Sequence, residues 1–143
     1  MIDTLIQSSL IPGGSHTIIN GEDGAFLCSG VTVQYAIEAS KLISKKMGKK
    51  IRVVDMYSIK LVDREAIISA SKTGHIIVSQ DHNVYGELGS IVATIVAEEG
   101  LTTKLKILGI DDIFVAIAHT GYLYHQFGVD GKGLRKNMLE KLN

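Results

Sequence analysis

The densest group of chemically capable side chains is Gln80-Asp81-His82-Asn83-Val84-Tyr85-Gly86-Glu87-Leu88-Gly89-Ser90. A carboxylate, an imidazole, an amide and a phenol follow one another closely. Gly86 and Gly89 then let backbones approach at the start of a helix. The group leaves the β-branched run His75 to Ser79, and open α/β sheets place their sites beyond the carboxyl ends of strands. Two chemistries fit it equally. In one, Asp81, His82 and Asn83 converge on a small-molecule or anion pocket. In the other, they bond their own loop backbone and cap the next helix, with an interface role lying between the two. A second group, Asp55-Met56-Tyr57-Ser58-Ile59-Lys60, leaves the neighbouring strand end, where Tyr57 and Lys60 could face the same crevice. The plainer reading there is a packed tyrosine and a solvated lysine.

Other chemistries are excluded by what the chain lacks. No GxGxxG follows a strand and no GxxxxGK[ST] is present. Cys28-Ser29-Gly30, leading into a helix, is the nearest thing to an anion turn and reads as ordinary strand-to-helix geometry. The histidines His16, His75, His82, His119 and His125 show no HExxH or i,i+4 spacing, so no metal site is expected. His119 and His125, six apart, are expected on different faces of a helix. The single Cys28 excludes an internal disulfide and a CxxC site, and reads as a buried, inert thiol. Fifteen basic and fifteen acidic residues leave a net charge of +0, which argues against nucleic acid as a partner. Lys45-Lys46 and Lys49-Lys50 read as a solvated helix end favoured by the dipole.

With 143 residues and 45% hydrophobic content, the chain fits one domain that buries roughly two thirds of its surface. The start, Met1 to Ile6, has an acid at position 3 and no basic region, so it is not expected to be a signal peptide. The apolar stretch Gly89 to Ala97 is too short to span a bilayer, and a cytoplasmic chain with no membrane contact is expected.

Residues 1–23 read as a lead-in with two turn clusters, around Pro12-Gly13-Gly14 and Asn20-Gly21. Between them, Ser15 to Asn20 is a candidate short strand, expected to form a hairpin with the next one. Residues 24–143 then alternate. Strand-like runs at 25–28, 51–56, 75–79 and 104–108 are separated by helical periodicity over Thr32 to Met47, from Asp63 and from Leu88. A polar loop is expected over Gln80 to Gly86. Gly48 is a candidate C-cap, and Asp63, Thr120 and Asp130 are candidate N-caps. The order predicts right-handed crossovers and a three-layer α/β/α sandwich, with a mostly parallel sheet of about five strands.

Three stretches carry a family resemblance: Arg52-Val53-Val54-Asp55-Met56-Tyr57-Ser58-Ile59-Lys60, Asp63-Arg64-Glu65-Ala66-Ile67, and Asp81 to Ser90. With Leu108-Gly109-Ile110-Asp111-Asp112-Ile113-Phe114 and Leu123 to Asp130, they make the chain similar, over about residues 24–135, to the C-terminal domain of transketolases. The same domain type occurs in deoxyxylulose-phosphate synthase and in the beta subunits of 2-oxoacid dehydrogenases. The resemblance implies an enzyme that transfers two-carbon ketol units between sugar phosphates. Its thiamine diphosphate and Mg lie between a pyrimidine- and a pyrophosphate-binding domain or subunit. This chain has no GDG motif with a downstream Asn; Val129-Asp130-Gly131 has too little chain after it. It is therefore expected to hold no cofactor, metal or catalytic residue itself, and to act in assembly within a homodimer or larger oligomer. The candidate interface or regulatory residues are Tyr57, Asp81, His82, Asn83, Tyr85, Gly86, Leu88, Gly89 and Ser90. Replacing Leu88 or Tyr85 is expected to weaken association more than folding. Two departures stand out: Glu87 where the family commonly has glycine, and Ala118-His119-Thr120-Gly121 in place of a Ser-Gly stretch.

Overall fold

A strand walled on every side reads as an unbroken apolar run, and Gly24–Cys28 (β2), with all five residues buried, is such a strand. In the computed structural model, which describes residues 11–143, it is the centre of a five-stranded sheet ordered β1-β3-β2-β4-β5. The other strands are His16–Ile19 (β1), Ile51–Asp55 (β3), His75–Asn83 (β4) and Lys104–Ile110 (β5). β2 through β5 are parallel, and β1 runs antiparallel on the β3 edge.

Five helices accompany the sheet among the described residues: Thr32–Met47 (α1), Arg64–Ser71 (α2), Leu88–Glu98 (α3), Thr120–Phe127 (α4) and Gly131–Leu142 (α5). Because side chains alternate along a strand, the sheet feeds two cores. Phe26, Val53 and Ile77 pack under α1 and α5 with Ile43, Leu134 and Met138. Leu27, Val54 and Val78 pack under α2 and α3 with Ile67, Leu88 and Val92. This is the α/β/α sandwich that the alternation implies. The caps also fall as their residue types require. Gly48 ends α1 at φ 66°, and Asp63 Oδ1 accepts from the Ala66 amide at 3.0 Å. Asp130 Oδ1 accepts from the Gly133 amide at 2.7 Å.

Three local expectations are corrected. β1 forms no hairpin with β2; it pairs with β3, His16 lying opposite Asp55. Both flanks of β2 are occupied by β3 and β4, so β1 can add only at the outer edge. Gly21 makes the passage possible, since a Cβ there would collide with the backbone of Lys50 and Arg52. Gln80 to Asn83 is not loop: β4 continues to Asn83, pairing with Ile110 after a register shift beyond Ser79. Gly109 permits this, because a Cβ would stand 2.7 Å from the His82 carbonyl oxygen. Thr120 is the first residue of α4 rather than its cap; His119 precedes the helix without a side-chain bond to it, so the two histidines do not share a helix. The reading of Met1 to Ile6 lies outside the described residues. Among those described, no helix is long and apolar enough to cross a membrane.

Candidate functional site

From β2 the chain crosses to β3 on one side, and from β4 to β5 on the other. The carboxyl ends of β2 and β4 thus flank a topological switch point, where α/β sheets open a crevice. Here the crevice is stitched shut. The Ser29 amide donates to the Ser79 carbonyl at 3.3 Å, and the Thr32 hydroxyl lies 2.8 Å from the Ser29 and Ser79 carbonyl oxygens. Across this edge His16, Asp55, Cys28 and Ser79 stand in register. Burial, then the neighbouring Asp55 charge, pushes the Cys28 thiol far up, so it stays protonated and inert.

Asp55 is only 8% exposed and its side chain makes no hydrogen bond among the described residues. Burial raises its carboxyl above the ordinary value, partly offset by His16. The folded chain therefore holds a proton more tightly there than the unfolded chain does. The stability drawn from this group grows as pH falls through the raised value and levels off below 3.8. The Asp55→Asn variant is accordingly expected to melt higher than the parent at pH 7, with the gap closing on acidification. Thermal melts at pH 7, 5 and 4 check this, and a variant melting lower at pH 7 would contradict it.

Beyond β4 the polar side chains build their own loop. Gln80, fully buried, accepts from the Gly89 amide at 2.8 Å and donates to the Asn83 carbonyl at 2.6 Å. Asn83 accepts from the Tyr85 amide at 2.8 Å and donates to Asp112 at 3.0 Å. Ser90 accepts from the Gly86 amide at 2.8 Å. Asp81 faces elsewhere: its Oδ2 accepts from the Tyr124 hydroxyl at 3.2 Å, and its Oδ1 lies 3.6 Å from the exposed His82 ring. Burial and the Asp81 charge push the Tyr124 hydroxyl up, and Tyr35 packs edge-on to its ring at 6.0 Å. Asp81 and His82 thus serve one set of partners and Asn83 another; they do not converge on a pocket.

Two further expectations change. Tyr57 and Lys60 leave β3, which β2 separates from β4, and a Cβ on Gly14 would meet the Tyr57 hydroxyl. They lie toward the β1 edge, not with the Asp81 loop. Leu88 is fully buried in the α2–α3 core, and Gly89 is pressed against Ile107, so neither is available to a partner. Tyr85 is exposed.

Sequence reasoning overlooked a larger feature. Residues 111–122 are exposed without a break. Phe114 and Ile117 are as open as in an extended peptide, at 105% and 107%, and Ile113, Val115 and Tyr122 accompany them. α4 buries none of its residues. It is tethered by Tyr124 to Asp81 and by His125 Nδ1 to Asp130 Oδ2 at 2.9 Å. The signal was available: Ile113 to Ala118 is apolar yet has neither period 2 nor period 3.6, so no face of it can turn inward.

The profile described as "Transketolase, C-terminal domain" matches residues 14–134. The chain belongs to that family. The match begins before β1, in keeping with that strand's place in the sheet. As a transketolase C-terminal domain the chain is similar to one subunit of the apulose-4-phosphate transketolase of Phocaeicola vulgatus, 36% identical over 90% of this chain and 40% of that protein. It is equally similar, at 36%, to 1-deoxy-D-xylulose-5-phosphate synthase of Dehalococcoides mccartyi, over 94% of this chain and 22% of the relative. Among solved structures it resembles a split-gene transketolase described as an inactive beta4 tetramer, with a TM-score of 0.85 and 28% identity. That likeness covers 93% of this chain and 43% of the other. The chain therefore spans two fifths or less of the curated relatives just named.

Proposed function

We infer that this transketolase C-terminal domain is a non-catalytic assembly unit of a thiamine-diphosphate-dependent enzyme that moves two-carbon ketol groups between sugar phosphates. The observation that carries the reading is the open apolar run Ile113–Ile117. Burying Ile113, Phe114 and Ile117 would contribute about 1.5–3 kcal/mol each, and the isolated domain leaves that burial unused. Its partners are the pyrimidine- and pyrophosphate-binding domains or subunits of the same enzyme, in a homodimer or larger oligomer. The described residues of this chain do not fit thiamine diphosphate and Mg. Among those described, no three His, Cys, Asp or Glu side chains gather where a metal ion could sit, and no glutamate is buried. No catalytic step is assigned here.

The test is a ketol-transfer assay with thiamine diphosphate and magnesium, on this chain alone and after mixing with a GDG-bearing partner. Silence alone and activity on mixing is the expected result. Turnover by the 143-residue chain alone would overturn the reading. The equal identity to a deoxyxylulose-phosphate synthase favours a second reading on the same scaffold. Assaying the mixture for deoxyxylulose phosphate separates the two.

A further inference from the structure

At the opposite, amino edge of the sheet a cleft of about 580 Å³ lies between the end of β1, the second half of α1 and the start of β3. Half-buried Ile19 gives it an apolar wall, with the fully buried Ile51 behind, and exposed Lys41, Lys45 and Lys50 also line it. Lys41 and Lys45 are one helical turn apart, a spacing at which like charges repel. None of the three ammonium groups has a carboxylate within 4.0 Å among the described residues. Asp23, the neighbouring acid, is already engaged: Oδ2 accepts from the Lys50 amide at 2.7 Å and Oδ1 meets Lys49 Nζ at 3.3 Å. Glu38 lies against Gly131 on α5, and Glu22 lines a different cleft with Arg52. Ser44 and Asn20 also line the cleft, and the side chain of neither makes a hydrogen bond among the described residues. Ser40 closes the wall, its hydroxyl donating to the Ile51 carbonyl at 2.7 Å.

A solvated helix end accounts for Lys46 and Lys49, which do not line the cleft. It does not account for Lys41, nearly two turns before the end of α1, lining the same cleft as Lys45 and Lys50. The chain as a whole is neutral, yet three of its cations gather around this cleft, with Asp23 as the acid beside it. Unpaired cations of one sign beside an apolar wall raise the local concentration of anions.

We propose that this cleft binds a small organic phosphate, its charge held by Lys41, Lys45 and Lys50 and its body against Ile19. The volume lies within the range of small-molecule sites. The site stands apart from the assembly surface, so its failure would leave the assembly reading untouched, and the reverse.

The experiment titrates the isotopically labelled full chain with phenyl phosphate, and separately with inorganic pyrophosphate, following backbone amide shifts. Phenyl phosphate is expected to shift Asn20, Ser44, Lys45 and Ile51 in a saturable way, and to weaken several-fold when salt rises from about 50 to 300 mM. Pyrophosphate, which lacks an apolar body, is expected to bind the same residues more weakly. The Lys41→Ala/Lys45→Ala double variant, on a helix where alanine is well tolerated, is expected to lose tenfold or more in affinity. The double arginine variant should retain it. Shifts that never saturate, that spread to Lys104, Lys132 and Lys136, or that persist in the alanine variant would overturn the proposal.

Discussion

Changing Phe114 and Ile117 together to aspartate is expected to leave the domain folded and to weaken association with its partner by at least a hundredfold. Both side chains stand wholly in solvent in the isolated chain, so folding gains nothing from them, and exposed substitutions stay within about 0.5 kcal/mol. In an assembly, two large apolar groups are removed from water, at about 1.5–3 kcal/mol each, and the aspartates would have to lose their hydration instead. That sum corresponds to a factor of about 10²–10⁴ in dissociation constant. Sedimentation with the partner and a thermal melt of the isolated chain check the two halves. Unchanged association, or a collapsed melt, would refute the assignment of this surface. Leu88→Ala is the contrasting control: it empties a core position and is expected to cost about 2–5 kcal/mol of stability.

The Gln80→Leu variant is expected to lose about 3 kcal/mol of stability, although the apolar replacement is similar in size. The buried Gly89 amide and the part-buried Asn83 carbonyl would both lose their partner, and an orphaned buried group costs about 1–3 kcal/mol. For a domain of this length that is a fall in melting temperature of about 10 °C. The loss should be local in origin, so amide exchange at Tyr85 to Gly89 should quicken before that of β2. A variant as stable as the parent, with exchange unchanged, would show that the loop does not hang on this side chain.

Much of the fold was legible because burial leaves a periodic mark. β2 is apolar without interruption and β3 and the first half of β4 mostly so, and Asp63, Asp130 and Gly48 cap where their chemistry requires. β5, whose alternation Lys104-Leu105-Lys106-Ile107 implies one wet face, is indeed an edge strand. What sequence could not supply was pairing across long separations. β1's choice of β3 depends on both flanks of β2 being taken. The length of β4 depends on Gly109, far along the chain, admitting the His82 carbonyl. Gln80 reads as a polar loop residue because type alone does not show that a buried amide has found two backbone partners. For the same reason Leu88 looked like an interface residue and Ile113–Ile117 did not: one apolar side chain is covered within its own domain and the others are not.

The two ends of the sheet bear on how such a chain survives before it meets anything. β1 is four residues long with an irregular register, and β5 turns Lys104 and Lys106 to water. Short, kinked or lysine-studded margins deny a stray chain a template for strand addition. A domain that displays Phe114 and Ile117 is under standing pressure to clump. With both margins blunted, encounters between copies are confined to side-chain contacts, which come apart again, and a cross-β deposit has nowhere to begin.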